Sequence, residues 1–391
     1  MNTRPPRMLF LGSFPPRECG IATFTKDVVD SFDARFATKS EIIAIDELGG
    51  ETRSYGPEVV ARLTQNDRGS YGDIAALVNA HPAEILNIQH EYGLFGGDDG
   101  AWLLDLITGV TKPVVVTLHT ILPEPNDNHR AVARAVCRAA TAITVHSDTG
   151  RNLLIEKYGV AAEKITVIHH GVPDVPFRET GPIKAQFGVG ERMVISTFGL
   201  INRGKGLEFA IEAMREVVKT HPEALYLILG ETHPTIRKRE GEEYRESLQE
   251  MVKEYGLERN VTLVDKFLEF DELVNYLAAT DIYLTPYLNP VQIVSGTLAY
   301  AMGCGKAIVS TPYLYASEVL AHHRGFLCEF RDAASIANTL NALFDDPDLR
   351  RSTERRAYKF ARQMTWPNVS LAYGELFSAL VPEHRLELQS A

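Results

Sequence analysis

Short unbroken apolar runs recur along the 391-residue chain, each followed by a stretch with helical character. In the first half they are MLFLG at 8–12, EIIAI at 41–45, EILNIQ at 84–89, VVVTLH at 114–119, AITVHS at 142–147 and ITVIHH at 165–170. Continuous runs, rather than alternating ones, mark strands covered on both faces, as in parallel sheets. The pattern pauses over 169–182, where three prolines and two glycines break any regular element, and this segment reads as an interdomain linker. It then restarts with MVISTFG at 193–199, LYLILG at 225–230, VTLVD at 261–265, DIYLTP at 281–286, KAIVST at 306–311 and GFLCE at 325–329. Six strands per half, with helices between them, predict an α/β protein of two doubly wound parallel sheets.

The stretch Leu207 to Lys219 fits a crossover helix. Leu207, Ala210, Ile211, Met214, Val217 and Val218 share one face, and Glu208, Glu212, Arg215 and Lys219 stay off it. After Phe344 the chain is helical and charged, breaks at 364–367 and resumes over 368–380, and Pro367 predicts a hinge between two helices. The expected division is a first domain over 1–172, a second over 173–365 and a terminal segment over 366–391.

With 40 Lys+Arg against 51 Asp+Glu, the net charge of −11 opposes nucleic acid and anionic lipid, so a phosphate-bearing ligand needs a local site. A hydrophobic fraction of 45% places the chain among globular proteins rather than disordered ones. Cys19, Cys137, Cys304 and Cys328 share no CxxC spacing, which argues against a zinc site or a disulfide framework and for a reducing compartment. The start carries only a four-residue apolar run after two prolines, and no stretch has the ~18 apolar residues of a membrane span. A cytoplasmic protein without stable membrane insertion is the expectation.

In open parallel sheets, ligands collect beyond the carboxyl ends of the strands. The first such loop, Gly12 to Ile21, holds Glu18 and Gly20 and reads equally as a plain turn or a substrate-facing loop. The loop from Gln89 to Gly97 packs His90, Glu91 and Tyr92 together, either as acceptor-side groups or as a mutually supporting pair. His119 ends the run at 114–119, where an imidazole donates or accepts near neutral pH unless it is a satisfied structural residue. Ser147 reads as the N-cap of a helix over 148–158, and His169 and His170 as hinge packing. Arg130, Arg134 and Arg138 form a stripe that reads first as a solvated face.

The loop Phe198 to Gly206 is the most informative. Gly199, Gly204 and Gly206 permit close backbone approach, Asn202 is polar, and Arg203 and Lys205 bring positive charge to a helix start, where cations otherwise oppose the dipole. It is a phosphate site, although neither GxxxxGK[ST] nor GxGxxG is present. A second cradle runs from Pro286 to Thr297, with Ser295, Gly296 and Thr297 offering hydroxyl and amide donors.

Seven pieces in one order resemble the retaining glycosyltransferases of family 4: the early glycine loop ending at Gly20-Ile21, TLH at 117–119, VHSDTGRNLL at 145–154, VIHHGV at 167–172, KGLEFAIEAM at 205–214, the run at 256–287, and AYAMGCGKAIVST at 299–311. The resemblance implies the GT-B architecture of two facing Rossmann-like domains, with the terminal helix returning to the first. It further implies an acceptor-binding first domain, a second domain that binds a nucleotide-diphosphate sugar, and no metal. By position, Lys205 matches the family's phosphate-binding Lys and His119 its His near the donor sugar. The family's paired Arg falls on Leu200, with Arg203 as an assistant. Its two glutamates, separated by seven intervening residues, fall on Gln292 and Tyr300, of which only Gln292 keeps a sugar-binding amide.

These readings make His119, Lys205 and Arg203 the candidate catalytic residues and Gly199, Asn202, Gln292, Ser295, Gly296, Thr297 and Tyr300 the donor-binding ones. Glu18, Gly20, His90 and Glu91 are acceptor-side candidates. The expected activity is sugar transfer from a nucleotide-diphosphate sugar to a carbohydrate or related hydroxyl acceptor. A glycoside phosphorylase using inorganic phosphate, and a weakened sugar- or nucleotide-binding partner protein, are the two rivals.

Overall fold

The structure is a computed structural model that describes residues 5–47, 53–178 and 180–381. Positions 1–4 and 48–52 of the expected first domain, position 179 of the linker and positions 382–391 of the terminal segment lie outside the described residues. The chain divides into two compact units, one formed by Met1–Gly171 with Trp366–Ala391, the other by Val172–Thr365.

The first unit holds a parallel sheet of strands β1 (Met8–Gly12), β2 (Glu41–Asp46), β3 (Val59–Thr64), β4 (Ile85–His90), β5 (Val114–Leu118), β6 (Ala142–Val145) and β7 (Ile165–Val167), in the order β3-β2-β1-β4-β5-β6-β7. All six apolar runs form strands, and β1, β4, β5 and β6 are buried throughout. The seventh strand, β3, corrects the expectation of six. It lies at the sheet edge, Val60 and Arg62 are more exposed than their neighbours, and so it lacks the continuous run that marks an interior strand. Helices Arg68–Ala80, Leu103–Gly109, Asp127–Ala139 and Asp148–Tyr158 line one core.

Helices Gly20–Phe36 and Trp366–Leu380 close the other core, where Phe32 meets Phe377 at 5.7 Å and Ser370 donates to Ser31 at 2.7 Å. The chain does break before this helix, at extended Thr365. Pro367 is not a kink, however; it occupies the first turn of Trp366–Leu380, where a missing N–H costs nothing. Gly171 lies against the Trp366 indole, and a Cβ there would stand 2.2 Å from the ring.

The second unit holds a parallel sheet of β8 (Val194–Phe198), β9 (Leu225–Leu229), β10 (Val261–Val264), β11 (Ile282–Thr285), β12 (Ala307–Ser310) and β13 (Phe326–Leu327), ordered β10-β9-β8-β11-β12-β13. Helix Leu207–Thr220 buries the apolar face read from sequence, except that Val218 is only half-buried. The expected linker is mostly part of this unit. Val172 bridges to Thr365, and Tyr358 donates to the Val175 carbonyl at 2.8 Å. Its last two residues begin a helix, Gly181–Gln186, held by a buried ion pair: Asp281 accepts from Lys184, from Thr180 at 3.1 Å and from the Val194 amide at 2.7 Å.

His170 stands at the end of the first unit, one residue before the division after Gly171, and packs half-buried on that unit's core. The Phe24 ring is met edge-on by His119 at 4.9 Å, His146 at 5.0 Å and His170 at 5.0 Å, with Trp366 at 5.6 Å. His146 Nδ1 donates to the Ile168 carbonyl at 3.0 Å and His170 Nδ1 to that of Gly171 at 2.8 Å. Burial pushes His146 down to about 3 and His170 to about 4, and pushes His119 well below its ordinary value, with the neighbouring imidazoles adding to the effect.

Two stability outcomes follow from these cores. Lys184→Met leaves the buried Asp281 charge without its cation and is expected to cost about 3–5 kcal/mol, read as a lower urea midpoint for the second unit. The histidines make the first unit acid-labile. An unfolded imidazole takes a proton near 6.5 while the folded ones resist until about 4 or below, so stability is full above that range and falls as pH drops through it. His90, also pushed down to about 4 by burial, has neither ring nitrogen hydrogen-bonded to another of the described residues. His90→Leu is therefore expected to reduce the difference in melting temperature between pH 7 and pH 5.

Candidate functional site

In each sheet the crossovers diverge between two central strands, β1 and β4 in the first unit and β8 and β11 in the second, and that point opens a crevice at the carboxyl edge. The loops singled out from sequence are the ones that leave these strands.

In the second unit the loops after β8 and β11 are stitched together. Asn202 caps a short 3-10 turn, Arg203–Lys205, through its Oδ1 and the Gly204 amide at 2.9 Å, and the Leu288 amide donates to the Gly204 carbonyl at 2.9 Å. Gly206, at φ 62°, leaves no room for a side chain, since a Cβ would lie 2.2 Å from the Pro286 carbonyl. Lys205 is thereby delivered to the crevice. Its Nζ donates to the Tyr287 hydroxyl at 2.8 Å and lies 4.5 Å from that ring's centroid. With its lone pair occupied, the Tyr287 hydroxyl has its proton for Thr297 Oγ1 at 2.8 Å, and Thr297 reaches Ser295 at 3.2 Å. A Cβ on Gly199 would sit 3.1 Å from Lys205 Nζ and 3.2 Å from Thr297, so glycine keeps the backbone close to both.

Helix Gly296–Gly303 opens at the same place. Ser295 caps it, its Oγ accepting from the Leu298 amide at 3.3 Å and its carbonyl from Ala299 at 3.0 Å. The amides of Gly296 and Thr297, at the first two helical positions, are left without a carbonyl of their own turn. Among the described residues, no carboxylate pairs with Lys205.

Arg203 turns elsewhere. It donates to Glu243 at 2.6 Å, approaches Glu240 at 3.8 Å and lies over the Tyr244 ring at 5.1 Å. Gln292 spends its amide N–H on the Val294 carbonyl at 2.9 Å, leaving Oε1 for other partners. Tyr300 is buried in the core between Phe198 at 6.5 Å and the half-exposed Phe270 at 6.4 Å. Tyr287, which couples Lys205 to Thr297, has no separate signal in the sequence, because a tyrosine after a buried strand reads as core.

In the first unit, Gly12 and Gln89 face each other across the crevice, with a Cβ on Gly12 reaching 3.0 Å from the Gln89 side chain. Glu18 and Gly20 stand exposed at the rim, and Cys19 caps the following helix by accepting from the Ala22 amide at 3.3 Å. His119, 7% exposed, donates from Nε2 to Gln89 Oε1 at 2.9 Å, which fixes its tautomer. His90 and Glu91 do not pair. His90 stacks inward on Phe95 at 5.7 Å, while Glu91 accepts from the Tyr92 amide at 3.0 Å and from Thr120 at 2.5 Å. Burial pushes the Glu91 carboxyl up, opposed by those two hydrogen bonds. Ser147 caps its helix through the Gly150 amide at 3.1 Å. Arg134 and Arg138 are exposed and Arg130 is half-buried. Among the described residues, no group of three or more His, Cys, Asp or Glu is arranged to hold a metal ion, and no helix is long and apolar enough to cross a membrane.

Residues 182–360 match the family model described as glycosyl transferases group 1, and residues 55–174 match that described as glycosyltransferase family 4. An uncharacterised glycosyltransferase of Methanocaldococcus jannaschii is 24% identical over 259 residues, 64% of this chain and 62% of that protein, so the match spans less than two thirds of that relative. D-inositol 3-phosphate glycosyltransferase of Corynebacterium jeikeium is 28% identical over 327 residues, covering 78% and 75%. Among solved structures, Anabaena HepE in complex with UDP superposes with a TM-score of 0.74 at 18% identity, over 95% of this chain and 100% of that one. A glycosyltransferase family model matches part of each sheet unit, and the chain shares the two-sheet GT-B fold of such enzymes.

Proposed function

We propose that this enzyme moves a sugar from a nucleotide-diphosphate sugar to a hydroxyl of a carbohydrate or related acceptor, with retention of configuration and without a metal. The observation that carries this reading is the donor set around Lys205: an ammonium with no carboxylate partner, the Tyr287, Thr297 and Ser295 hydroxyls, and the open amides of Gly296 and Thr297. All are donors, and all meet where the crossovers of the second sheet diverge. Such a set stabilises charge developing on a departing diphosphate, the work a metal ion would otherwise do. A phosphate oxygen replaces the Tyr287 hydroxyl as partner of Lys205 without leaving a buried charge unpaired. The UDP bound to HepE and the sugar-transferring relatives support the donor class.

In the step itself, the bond from the anomeric carbon to the phosphate oxygen breaks and a bond from the acceptor oxygen forms on the same face. The acceptor proton passes to the phosphate oxygen that leaves, so no side-chain base is required. His119 is neutral, with Nε2–H committed to Gln89, and its Nδ1 is an acceptor suited to a sugar hydroxyl. In the second unit, Gln292 Oε1 is an acceptor suited to a hydroxyl of the donor sugar. Glu18 and Gly20 take the acceptor side, while His90 and Glu91 hold the loop in shape. The phosphorylase and the non-catalytic binder are not favoured, since the curated relatives are named as transferases.

Nucleotide release from a panel of UDP-, GDP- and ADP-sugars is the test. Lys205→Ala is expected to lower turnover by ~10²–10³-fold with an unchanged melting temperature. Full activity in that variant removes Lys205 from the phosphate site. The anomeric proton coupling of the product reports retention, and activity that survives exhaustive chelation reports independence from metal.

A further inference from the structure

Beside the 3-10 turn, a cavity of about 370 Å³ is lined by Asn202, Arg203, Gly204, His233, Arg239 and Glu240 among others. Its two arginines are balanced, Arg239 pairing with Glu240 and Arg203 with Glu243 and Glu240. His233 is not. Its Nδ1 accepts the Thr235 amide at 3.2 Å, so the neutral ring carries its proton on Nε2, and that N–H has no partner among the described residues. The residue is also pinned to the loop that presents Lys205: its own amide donates to the Ile201 carbonyl at 2.9 Å, and Thr232 bridges to Ile201. Burial, and then the charge of Lys205, holds the imidazole below its ordinary value, which places the two side chains in one electrostatic neighbourhood.

A diphosphate carries two phosphates, and the cavity is lined by the same turn that presents Lys205 to the donor set of Thr297 and Gly296. We propose that His233 is a second phosphate-binding residue of this site, its Nε2–H donating to a phosphate oxygen of the ligand that reaches into the cavity. This rests on the donor reading above. Because the ring is neutral, it adds a directed hydrogen bond without adding fixed charge to the pocket.

The test is calorimetry on the full chain with UDP and, separately, inorganic pyrophosphate. His233→Asn keeps an oxygen for the Thr235 amide, as a good N-cap does, and removes the Nε2 donor. It is expected to bind UDP ~10-fold more weakly at an unchanged melting temperature, as loss of a hydrogen bond to a charged group predicts. Wild-type affinity in the variant overturns the proposal and leaves the donor reading standing. If the wild type binds none of UDP, GDP or ADP, the donor reading falls, and pyrophosphate decides this one: weaker binding in His233→Asn upholds the phosphate role, and equal or absent binding overturns it. In the wild type, the ¹⁵N resonance of His233 Nε2 is expected to move on adding pyrophosphate. A resonance that stays put overturns the role without any variant.

Discussion

A parallel strand covered on both faces has no surface of its own, so every polar group that is to meet a ligand must be carried past the strand's end. That constraint organises both units of this glycosyltransferase. The sheets are built from runs such as Leu9–Leu11 and Val114–Val116 that are fully or nearly buried, and the chemistry gathers in loops leaving β1 and β4 in one unit and β8 and β11 in the other. Where consecutive crossovers go to opposite faces, two loops part and their backbone donors are exposed. The glycines at 199 and 206 are consequences of the same geometry: a side chain would crowd Lys205 and Thr297 at the first and collide with the Pro286 carbonyl at the second.

In this acidic chain of net charge −11, the cations of the turn after β8 are separated by their partners, as the proposed anionic ligand requires. Arg203 and Lys205 are two residues apart on one turn, yet Arg203 is neutralised by Glu240 and Glu243, whereas Lys205 rests on a phenol. The ion pairs of Arg203 are exposed and contribute little to stability, as surface pairs do, but they remove one positive charge from the pocket. The Lys205 ammonium and the partial charge of the helix terminus at Gly296 both act over a short range and are screened outside it.

Much of this was legible in sequence because burial on both faces writes a continuous apolar run, and twelve such runs became strands. The edge strand β3 was not, since exposing one face restores an alternating pattern that looks like a loop with scattered valines. Side-chain direction was the other blind spot. His90 and His119 both follow apolar runs and read alike, but the Cβ of one aims into the Phe95 core and the ring of the other is turned onto Gln89. Arg203 carried the right charge at the right place and faces the wrong acids. Tyr287 and His233 sit in stretches whose neighbours explain them as core and cap, so nothing in composition or spacing separates their second use.

The preference for neutral donors has a catalytic reason. Transfer leaves behind a nucleotide diphosphate more highly charged at the leaving oxygen than the sugar donor was, and each fixed cation in the pocket would tighten the product along with the transition state. Hydroxyls, helix amides and a neutral imidazole respond to charge through hydrogen bonds that strengthen as it develops, and they release the product to water, which offers the same bonds. In the proposed reaction, a lysine resting on a phenol rather than a carboxylate, with hydroxyls linked to it and arginines already neutralised nearby, stabilises departure without holding what has departed.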